Sequence, residues 1–222
     1  AGSTVATRAI TIKGTSQKVG IGEDSPDETL HVNGVGAAIK VDSNGDSAVR
    51  WATSGTNKYS LYHNNSSNAL IFFDNTNNAE RLRISNKGTI TFGDGLLEEG
   101  FHNDTGGGIQ GNYVHHIMTY GEIFYGVTNA VANFTFDVKG NSTTDYNDIT
   151  TIGKTTTVTV YITANSKYMT EFRLDGTAQT VKWADGSAPT SGSSSGVDVY
   201  SFTIMKTAAS TYHVFGNVTN FG

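Results

Sequence analysis

The sequence contains no cysteine, few charged residues and no long apolar run. Without cysteine the chain can form no disulfide, thiolate metal site or cysteine nucleophile, so its stability must come from packing. Its longest apolar runs, such as residues 69–73, are far shorter than the roughly 20 residues that span a bilayer. Residues 1–12 lack the basic-then-apolar pattern of a secretion signal. We therefore expect a soluble protein that does not insert into membranes.

Composition also leaves little material for a core. Of the 222 residues, 36% are hydrophobic, 16% are charged and 26 are glycine, so each strand has few side chains to bury against its own chain. A core shared between chains would solve this problem. The net charge is −5 and no run of Lys or Arg occurs, which makes nucleic acid a poor candidate for the partner.

Period-two alternation recurs along the chain, whereas helical periodicity is almost absent. In the first half the apolar residues form short pairs, such as Val49 with Trp51 and Tyr59 with Leu61. Turn formers such as Ser54-Gly55 lie between the pairs and tolerate the positive φ of tight hairpin turns. The pattern predicts an all-β fold.

An internal similarity relates two parts of the first half. Residues 10–12 followed by 19–23 are echoed by residues 82–84 followed by 90–94. Such a repeat is typical of hairpins stacked along an axis, in which each unit relies on its neighbours. The alternative is chance similarity among β-rich segments.

The alternation fails between residues 93 and 112, where Gly106-Gly107-Gly108 occurs without the Lys-Ser/Thr and helix of a phosphate loop. We predict a flexible joint there. The chain then divides into a β-rich domain with short strands over residues 1–93, a glycine-rich linker over 94–111, and an antiparallel β-sandwich over 112–222.

In the sandwich, alternation separates two faces of each strand. The face assigned to the core carries Phe134, Phe136, Val138, Val158, Val160, Ile162, Phe172, Leu174, Tyr200, Phe202 and Ile204. The opposite face carries Tyr161, Met169, Val199 and Phe215 among polar neighbours. A monomer seldom leaves so much apolar surface in water, so we expect these four residues to meet other chains around a threefold axis.

Two phrases in the first half resemble bacteriophage tail fibres. Residues 19–34, VGIGEDSPDETLHVNG, resemble the "VGIGTTSP…LHVNG" phrase of fibre shafts, and residues 80–88, ERLRISNKG, are similar to the accompanying "RLRISSDG" phrase. Both phrases also occur in long fibrous proteins that end in a self-cleaving chaperone. That chaperone is helical and has a Ser-Lys pair, and no C-terminal helical segment here would house one.

The C-terminal part resembles the tip domains of cyanophage and other marine phage fibres. Residues 181–190, 196–202 and 218–221 are similar to the ending "VKWPGGTAPT…VDVYTF…NF". Ala184 stands where that pattern commonly has Pro, which makes the turn less rigid. The residues between this ending and the two shaft phrases match neither.

The resemblance implies a virion protein of the tail fibre, folded as an intertwined or closely packed homotrimer with an N-terminal shaft and a C-terminal receptor-binding tip. It implies adsorption to a host surface receptor, commonly a glycan or an outer-membrane protein, and attachment to a tail adaptor or other tail proteins. The protein would occupy the host cytoplasm during assembly. No enzymatic activity, cofactor or metal is implied.

Several residues could nevertheless carry chemistry. His115-His116 could contribute an axial metal ligand in a trimer, but adjacent strand residues point to opposite faces, so we expect two partly exposed imidazoles beside Tyr113 and Tyr120. A glycosidase needs two carboxylates roughly 5–10 Å apart. The candidates for such a pair are Asp145, Asp148, Glu171, Asp175, Asp185 and Asp198. Most occur in turn-like contexts where Asp caps its own backbone, so we predict no enzyme.

Receptor contact is best suited to aromatic residues in loops, because a flat ring stacks on the apolar face of a sugar. Tyr146, Tyr168 and Trp183, with Asp185 as a nearby acceptor, fit this description. Trp183 could instead be a structural plug, a side chain that fills space in the fold and binds no ligand.

Two other functions remain open: a carbohydrate-binding module of a bacterial surface protein, and a small tailspike depolymerase.

Overall fold

The computed structural model describes residues 10–14, 17–93 and 98–222 of the chain. These residues are mostly β-sheet with two four-residue helices, so the predicted all-β class is confirmed. The chain divides into two compact units, Ala1–Leu97 and Glu98–Gly222. Each unit has its own sheets, and each is described separately below.

The N-terminal unit contains a three-stranded and a five-stranded sheet. The three-stranded sheet consists of β1 (Ile10–Lys13), β2 (Lys18–Ile21) and β3 (Leu30–Val32). The five-stranded sheet consists of β4 (Ser47–Thr53), β5 (Thr56–Asn64), β6 (Ala69–Asp74), β7 (Ala79–Ile84) and β8 (Ile90–Phe92). Successive strands of the larger sheet are antiparallel neighbours, so it forms by folding back at each turn.

The β4–β5 turn has the chemistry that the sequence predicts. Ser54 and Gly55 have φ values of 50° and 77°, which are the positive values that both central residues of a two-residue type I′ hairpin turn require. Glycine reaches this region without steric cost, whereas serine does so with strain. The turn therefore sets the pairing of Thr53 with Thr56.

The two similar segments of the N-terminal unit have the same pairing. In β1–β2, Ile12 lies opposite Val19, and in β7–β8, Ile84 lies opposite Ile90. Both segments are antiparallel strand pairs, in agreement with the hairpins that the repeat predicts.

The C-terminal unit contains a four-stranded and a six-stranded sheet. Its elements are β9 (Phe101–Asp104), β10 (Gly111–His116), α1 (Ile117–Tyr120), β11 (Ile123–Gly126), β12 (Phe134–Lys139), α2 (Tyr146–Ile149), β13 (Thr155–Thr163), β14 (Met169–Leu174), β15 (Thr177–Ala178), β16 (Val181–Trp183), β17 (Val197–Ala208) and β18 (Thr211–Phe221). The four-stranded sheet has the order β10-β12-β14-β15, and the six-stranded sheet has the order β16-β18-β17-β13-β11-β9.

The prediction of an antiparallel sandwich is wrong for half of this unit. From β9 to β14 each strand passes to the opposite sheet, so neighbours within a sheet are next but one in the sequence and run in the same direction. β9, β11 and β13 are parallel, as are β10, β12 and β14. Only the later strands, above all the long β17–β18 hairpin, add antiparallel pairs. The result is a sandwich with both parallel and antiparallel strand pairs. Its first six strands wind alternately between the two sheets and pair in parallel within each sheet.

The core lies between the two sheets, where alternation placed it. All eleven residues that the pattern assigns to the core are buried, and they belong to one cluster. Phe172 of one sheet stacks on Phe202 of the other, with ring centroids 4.0 Å apart. The two inner faces therefore interdigitate as in an ordinary sandwich.

The predicted linker over 94–111 is shorter in the structure. The unit boundary falls after Leu97, and residues 94–97 lie outside the described residues. Residues 101–104 form β9, Ile109 is buried, and a Cβ on Gly108 would lie 2.3 Å from the carbonyl oxygen of Asn129. This close packing makes the glycine stretch part of the C-terminal unit and not a flexible joint.

Candidate functional site

One face of the five-stranded sheet is lined with large apolar side chains that no described residue of the N-terminal unit covers. We call it the N-terminal apolar face. It consists of Val49, Trp51, Tyr59, Leu61, Leu70, Phe72, Leu82, Ile84, Ile90 and Phe92. A row of five runs across all strands, since Val49, Leu61, Phe72, Leu82 and Phe92 lie opposite one another in turn. Trp51 is 51% exposed and Phe92 is 58% exposed.

The opposite face of the same sheet is covered by its own side chains. Small residues such as Ser60 and Ala69 are buried there. Arg83 forms an ion pair with Glu80, and Tyr62 packs edge-on against Phe73 with ring centroids 6.1 Å apart. Antiparallel sheets commonly keep one face wet and bury the other. Here the polar face is self-contained, and the apolar face is the one left open.

The three-stranded sheet repeats this arrangement on a smaller scale. One face carries Ile10, Ile12, Val19, Ile21, Leu30 and Val32, which lie opposite one another across its strands. Four of these six side chains are largely exposed, namely Ile10, Ile12, Ile21 and Leu30. Within residues 10–14 and 17–93, both sheets of the N-terminal unit therefore leave their apolar side largely exposed.

The size of the N-terminal apolar face decides whether it is unusual. Eight of its ten side chains are 37–60% exposed and present on the order of 80–100 Å² each, and with the more buried Leu61 and Leu82 the face presents roughly 800 Å². The largest patch on a typical monomer covers about 300–600 Å². One partner of a standard protein interface buries about 800 Å². The face is therefore large enough to be an interface.

The sequence pattern alone does not reveal this face. The alternating pairs that compose it were visible, but each pair by itself is too short to show a continuous surface. Joining them across their turns with the register of an antiparallel meander would have placed all ten residues on one side.

The six-stranded sheet of the C-terminal unit has an uncharged outer face. Lys182 is the one Asp, Glu, Lys or Arg residue that points outward from the described strands of this sheet. Threonine, serine and asparagine occupy much of the rest. A shallow cavity of about 590 Å³ lies on it, lined by Phe101, Ile123, Tyr125, Tyr161, Val197, Val199 and Phe221.

The structure divides the four residues predicted to meet other chains. Tyr161 and Val199 lie opposite each other and line the cavity on the outer face. Phe215 lies on the same face of β18 and is 42% exposed. Tyr161 and Val199 are therefore compatible with an interface at the cavity, whereas Phe215 lies beside Lys182 at the β16 edge of the sheet.

Met169 does not lie on the outer surface, and that part of the prediction is wrong. Its side chain is 2% exposed and belongs to the core. Phe134 lies opposite Met169 but Thr135 lies opposite Glu171, so Thr170 is an extra residue in a β-bulge. A bulge reverses the alternation. In a regular strand, Met169 and the buried Phe172, three residues apart, would lie on opposite faces. Because of the bulge, both point inward.

Tyr146 is also wrong as a receptor residue. It begins α2, it is 1% exposed, and its ring packs 5.7 Å from that of Tyr212. The backbone N–H groups of Tyr146 and Asn147 donate to the Asp175 carboxylate at 2.6 and 2.9 Å. Burial raises the pKa of the Asp175 carboxyl, and the two hydrogen bonds only partly offset this effect by lowering it. The contacts of Tyr146 are therefore structural, since they hold the start of α2 against Asp175.

The other three receptor candidates lie at or near the surface. Tyr168 is half-buried, and its backbone N–H donates to Asn133. Trp183 is half-buried against the core, with its ring 5.9 Å from that of Phe202, which favours the plug interpretation. Asp185 is exposed in the turn closed by the hydrogen bond from Gly186 N to Trp183 O. Trp183 and Asp185 therefore share one turn.

His115 is fully buried, so the expectation of a partly exposed imidazole is wrong for this residue. It lies among the rings of His102, Tyr120, Phe124 and Phe136, with centroids 5.6–6.1 Å away. Its Nε2 lies 2.9 Å from the Gly121 carbonyl. A carbonyl only accepts, so Nε2 carries the proton and Nδ1 is left without a partner. His116 is half-buried.

The candidate carboxylates mostly have structural partners. Asp198 is buried and accepts hydrogen bonds from Ser193 N and Asn220 Nδ2. Glu171 pairs with Arg173, Asp145 precedes α2, and Asp148 lies within it. In the described part of the chain no three His, Asp or Glu side chains are grouped so as to hold a metal ion.

The sequence matches no protein-family model, and no curated protein matches it significantly. Neither helix in residues 10–14, 17–93 and 98–222 could cross a membrane.

Proposed function

We propose that this protein is a homotrimeric structural component of a bacteriophage tail fibre that attaches the virion to the host cell. The observation that carries the proposal is the N-terminal apolar face, because it needs a cover. The shaft and tip phrases of the sequence resemble proteins of this class. In this proposal the N-terminal unit is the shaft, and the C-terminal unit binds a host glycan or an outer-membrane protein.

A second copy of the same chain is the occupant that best suits the apolar face. The face presents roughly 800 Å², which at about 25 cal/mol per Å² corresponds to some 20 kcal/mol of unrealised hydrophobic stabilisation per chain. Closed symmetric oligomers bury the same patch on every subunit. Three apolar faces turned toward one axis would form the shared core that the composition of the chain calls for.

The outer face of the six-stranded sheet supports assembly by a second route. The cores of protein interfaces are depleted of charge and enriched in aromatic residues, and the cavity containing Tyr125, Tyr161 and Phe221 has both properties. Adhesion also profits from assembly, since three weak receptor sites on one particle bind a surface with far greater avidity than one.

The proposed protein performs no covalent chemistry. Asp175 anchors a turn, Asp198 is buried, and Glu171 is paired with Arg173, so these carboxylates have structural roles in place of catalytic ones. The proposed partners are a tail adaptor or other tail proteins and the host receptor. The proposed location is the virion, with the host cytoplasm during assembly.

Matched substitutions on β8 test the proposal. Phe92→Glu places a carboxylate on the N-terminal apolar face, whereas Thr91→Glu places the same charge on the opposite face of the same strand. The mass in solution, measured by sedimentation equilibrium, should equal three chains for the wild type and for Thr91→Glu. We expect Phe92→Glu to dissociate, because a charge buried without a partner is costly.

Binding of the labelled protein to host cells completes the test. The wild type and Thr91→Glu should bind, and Phe92→Glu should bind much more weakly because avidity is lost. A wild-type protein with the mass of one chain that still binds polysaccharide would favour the carbohydrate-binding module instead. Release of reducing sugar from host polysaccharide, abolished by substitution of one carboxylate, would establish a depolymerase.

A further inference from the structure

A groove runs along the outer face of the six-stranded sheet at its β16 edge, away from the cavity that contains Tyr161. It has a volume of about 510 Å³. Lys182, Phe215 and Thr203 lie side by side across β16, β18 and β17, and Ser201 and Asn217 lie beside them in the lining. The groove combines one aromatic ring, hydroxyl and amide groups, and one cation.

We propose that this groove binds a saccharide that carries a carboxylate, such as a uronic acid. The proposal rests on the function proposed above and names the chemistry of the receptor. Lys182 would pair with the carboxylate, and Ser201, Thr203 and Asn217 would bond the sugar hydroxyls. The Phe215 ring would supply the apolar contact surface.

The position of Lys182 is the first argument. Its Nζ lies 5.3 Å from the centroid of the Phe215 ring, and a cation over a ring face is held there by the ring quadrupole. No carboxylate lines the groove, and no ion pair to Lys182 is found among residues 98–222. A charge-assisted bond to a ligand carboxylate is stronger than a neutral hydrogen bond.

The polar side chains provide the second argument. Hydroxyl groups of Ser201 and Thr203 can each donate and accept, and the Asn217 amide does both through separate atoms. Sugar hydroxyls have the same dual character, so one side of the ligand can be matched without a further charge. Small-molecule sites commonly combine an apolar lining with a few such convergent groups.

A rigid floor is the third argument. The groove lies on paired strands, because Lys182 of β16 is opposite Phe215 of β18, which is opposite Thr203 of β17. On the inner face of the same strands, Trp183 lies opposite Gly216 and its ring packs against Phe202 of the core. Binding would therefore cost little ordering of the backbone that carries the groove.

The charge of the unit as a whole opposes an anionic ligand, but only weakly. Residues 98–222 contain six Lys and Arg against eleven Asp and Glu. Asp185 directly follows Ala184 of the lining, but it is exposed to solvent. At physiological ionic strength, exposed charges are largely screened beyond about 8 Å, so the carboxylates farther away oppose the ligand little. A single groove would bind weakly, and three grooves in one trimer would supply the affinity.

Calorimetric titration of the trimer tests the proposal with two probes, methyl glucuronide and methyl glucoside, which differ in one carboxylate. We expect the glucuronide to bind at least about tenfold more tightly, with an affinity that falls as salt rises. Lys182→Gln should remove this preference. Lys154→Gln, which removes an exposed charge elsewhere in the same unit, should leave it unchanged.

Phe215 gives an independent check. Phe215→Tyr keeps the ring and should retain the preference, whereas Phe215→Leu should weaken glucuronide binding several-fold. Equal affinity for the two probes, or an unchanged preference in Lys182→Gln, would overturn the assignment. If the trimer still bound host cells in that case, the proposed adhesion function would stand. A monomeric chain that bound no cells would refute that function.

Discussion

His115 shows at the level of one residue how the C-terminal core depends on pH. Burial among aromatic rings lowers the pKa of this imidazole to about 4, and the nearby His102 and His116 add to the lowering, whereas the bond to the Gly121 carbonyl opposes it. An unfolded histidine has a pKa near 6.5. Between these values the unfolded chain binds a proton that the folded core excludes, so stability falls as the pH falls.

We therefore expect the C-terminal unit to lose on the order of 3 kcal/mol of unfolding free energy between pH 7 and pH 4 through His115. Urea titrations can follow Trp183 fluorescence in a Trp51→Phe background. His115→Phe should flatten the pH dependence, and His116→Gln should preserve it. An equal slope in wild type and His115→Phe would show that other groups carry the dependence.

Trp183 and Met169 show where residue-level prediction succeeds and fails. Alternation places the indole in the inner row with Gly216 and Phe202, and the structure agrees with its interpretation as a plug. Met169 fails because Thr170 forms a bulge, and a single bulged residue leaves no mark in a polar-apolar pattern. Tyr146 fails because a turn rich in Asn and Asp resembles an exposed loop even when its aromatic residue is buried.

At the scale of elements, the β4–β5 turn sets the start of the five-stranded sheet. Asn-Gly is a preferred pair for a type I′ turn, since asparagine tolerates positive φ better than serine does. Ser54→Asn should raise the thermal unfolding midpoint slightly, and Gly55→Ala should lower stability by about 1 kcal/mol. Gly107→Ala, at a position with no close neighbour and no positive φ, serves as the control and should change little.

The strands themselves were predictable, but their pairing in the C-terminal unit was not. Alternation in β12, β13 and β17 identifies the buried face because burial leaves an apolar residue at every second position. Alternation contains no information about the direction in which neighbouring strands run. The parallel strands β9 to β14 therefore have the same sequence pattern as a series of antiparallel hairpins. β9 was missed because its four residues lie between glycine-rich segments.

At the scale of the whole molecule, the proposed trimer would make the stability of the N-terminal unit depend on assembly. If three chains share a core, unfolding is coupled to dissociation, and the melting temperature rises with protein concentration. Calorimetric scans of the wild type across a wide concentration range should show this rise. Phe92→Glu should melt lower and without concentration dependence. A wild-type midpoint that stayed constant on dilution would contradict the shared core.

The route of the chain through the C-terminal sandwich also determines when this unit can form during synthesis. Each hairpin of the five-stranded sheet can close soon after it leaves the ribosome, because its strands are consecutive. β13 instead pairs with β17 on one side, and β16 joins the sheet only through β18. A nascent chain that has not yet exposed residues 197–221 therefore presents β13 with an open edge. Products truncated before that point should aggregate, since an unpaired apolar strand is a template for other chains.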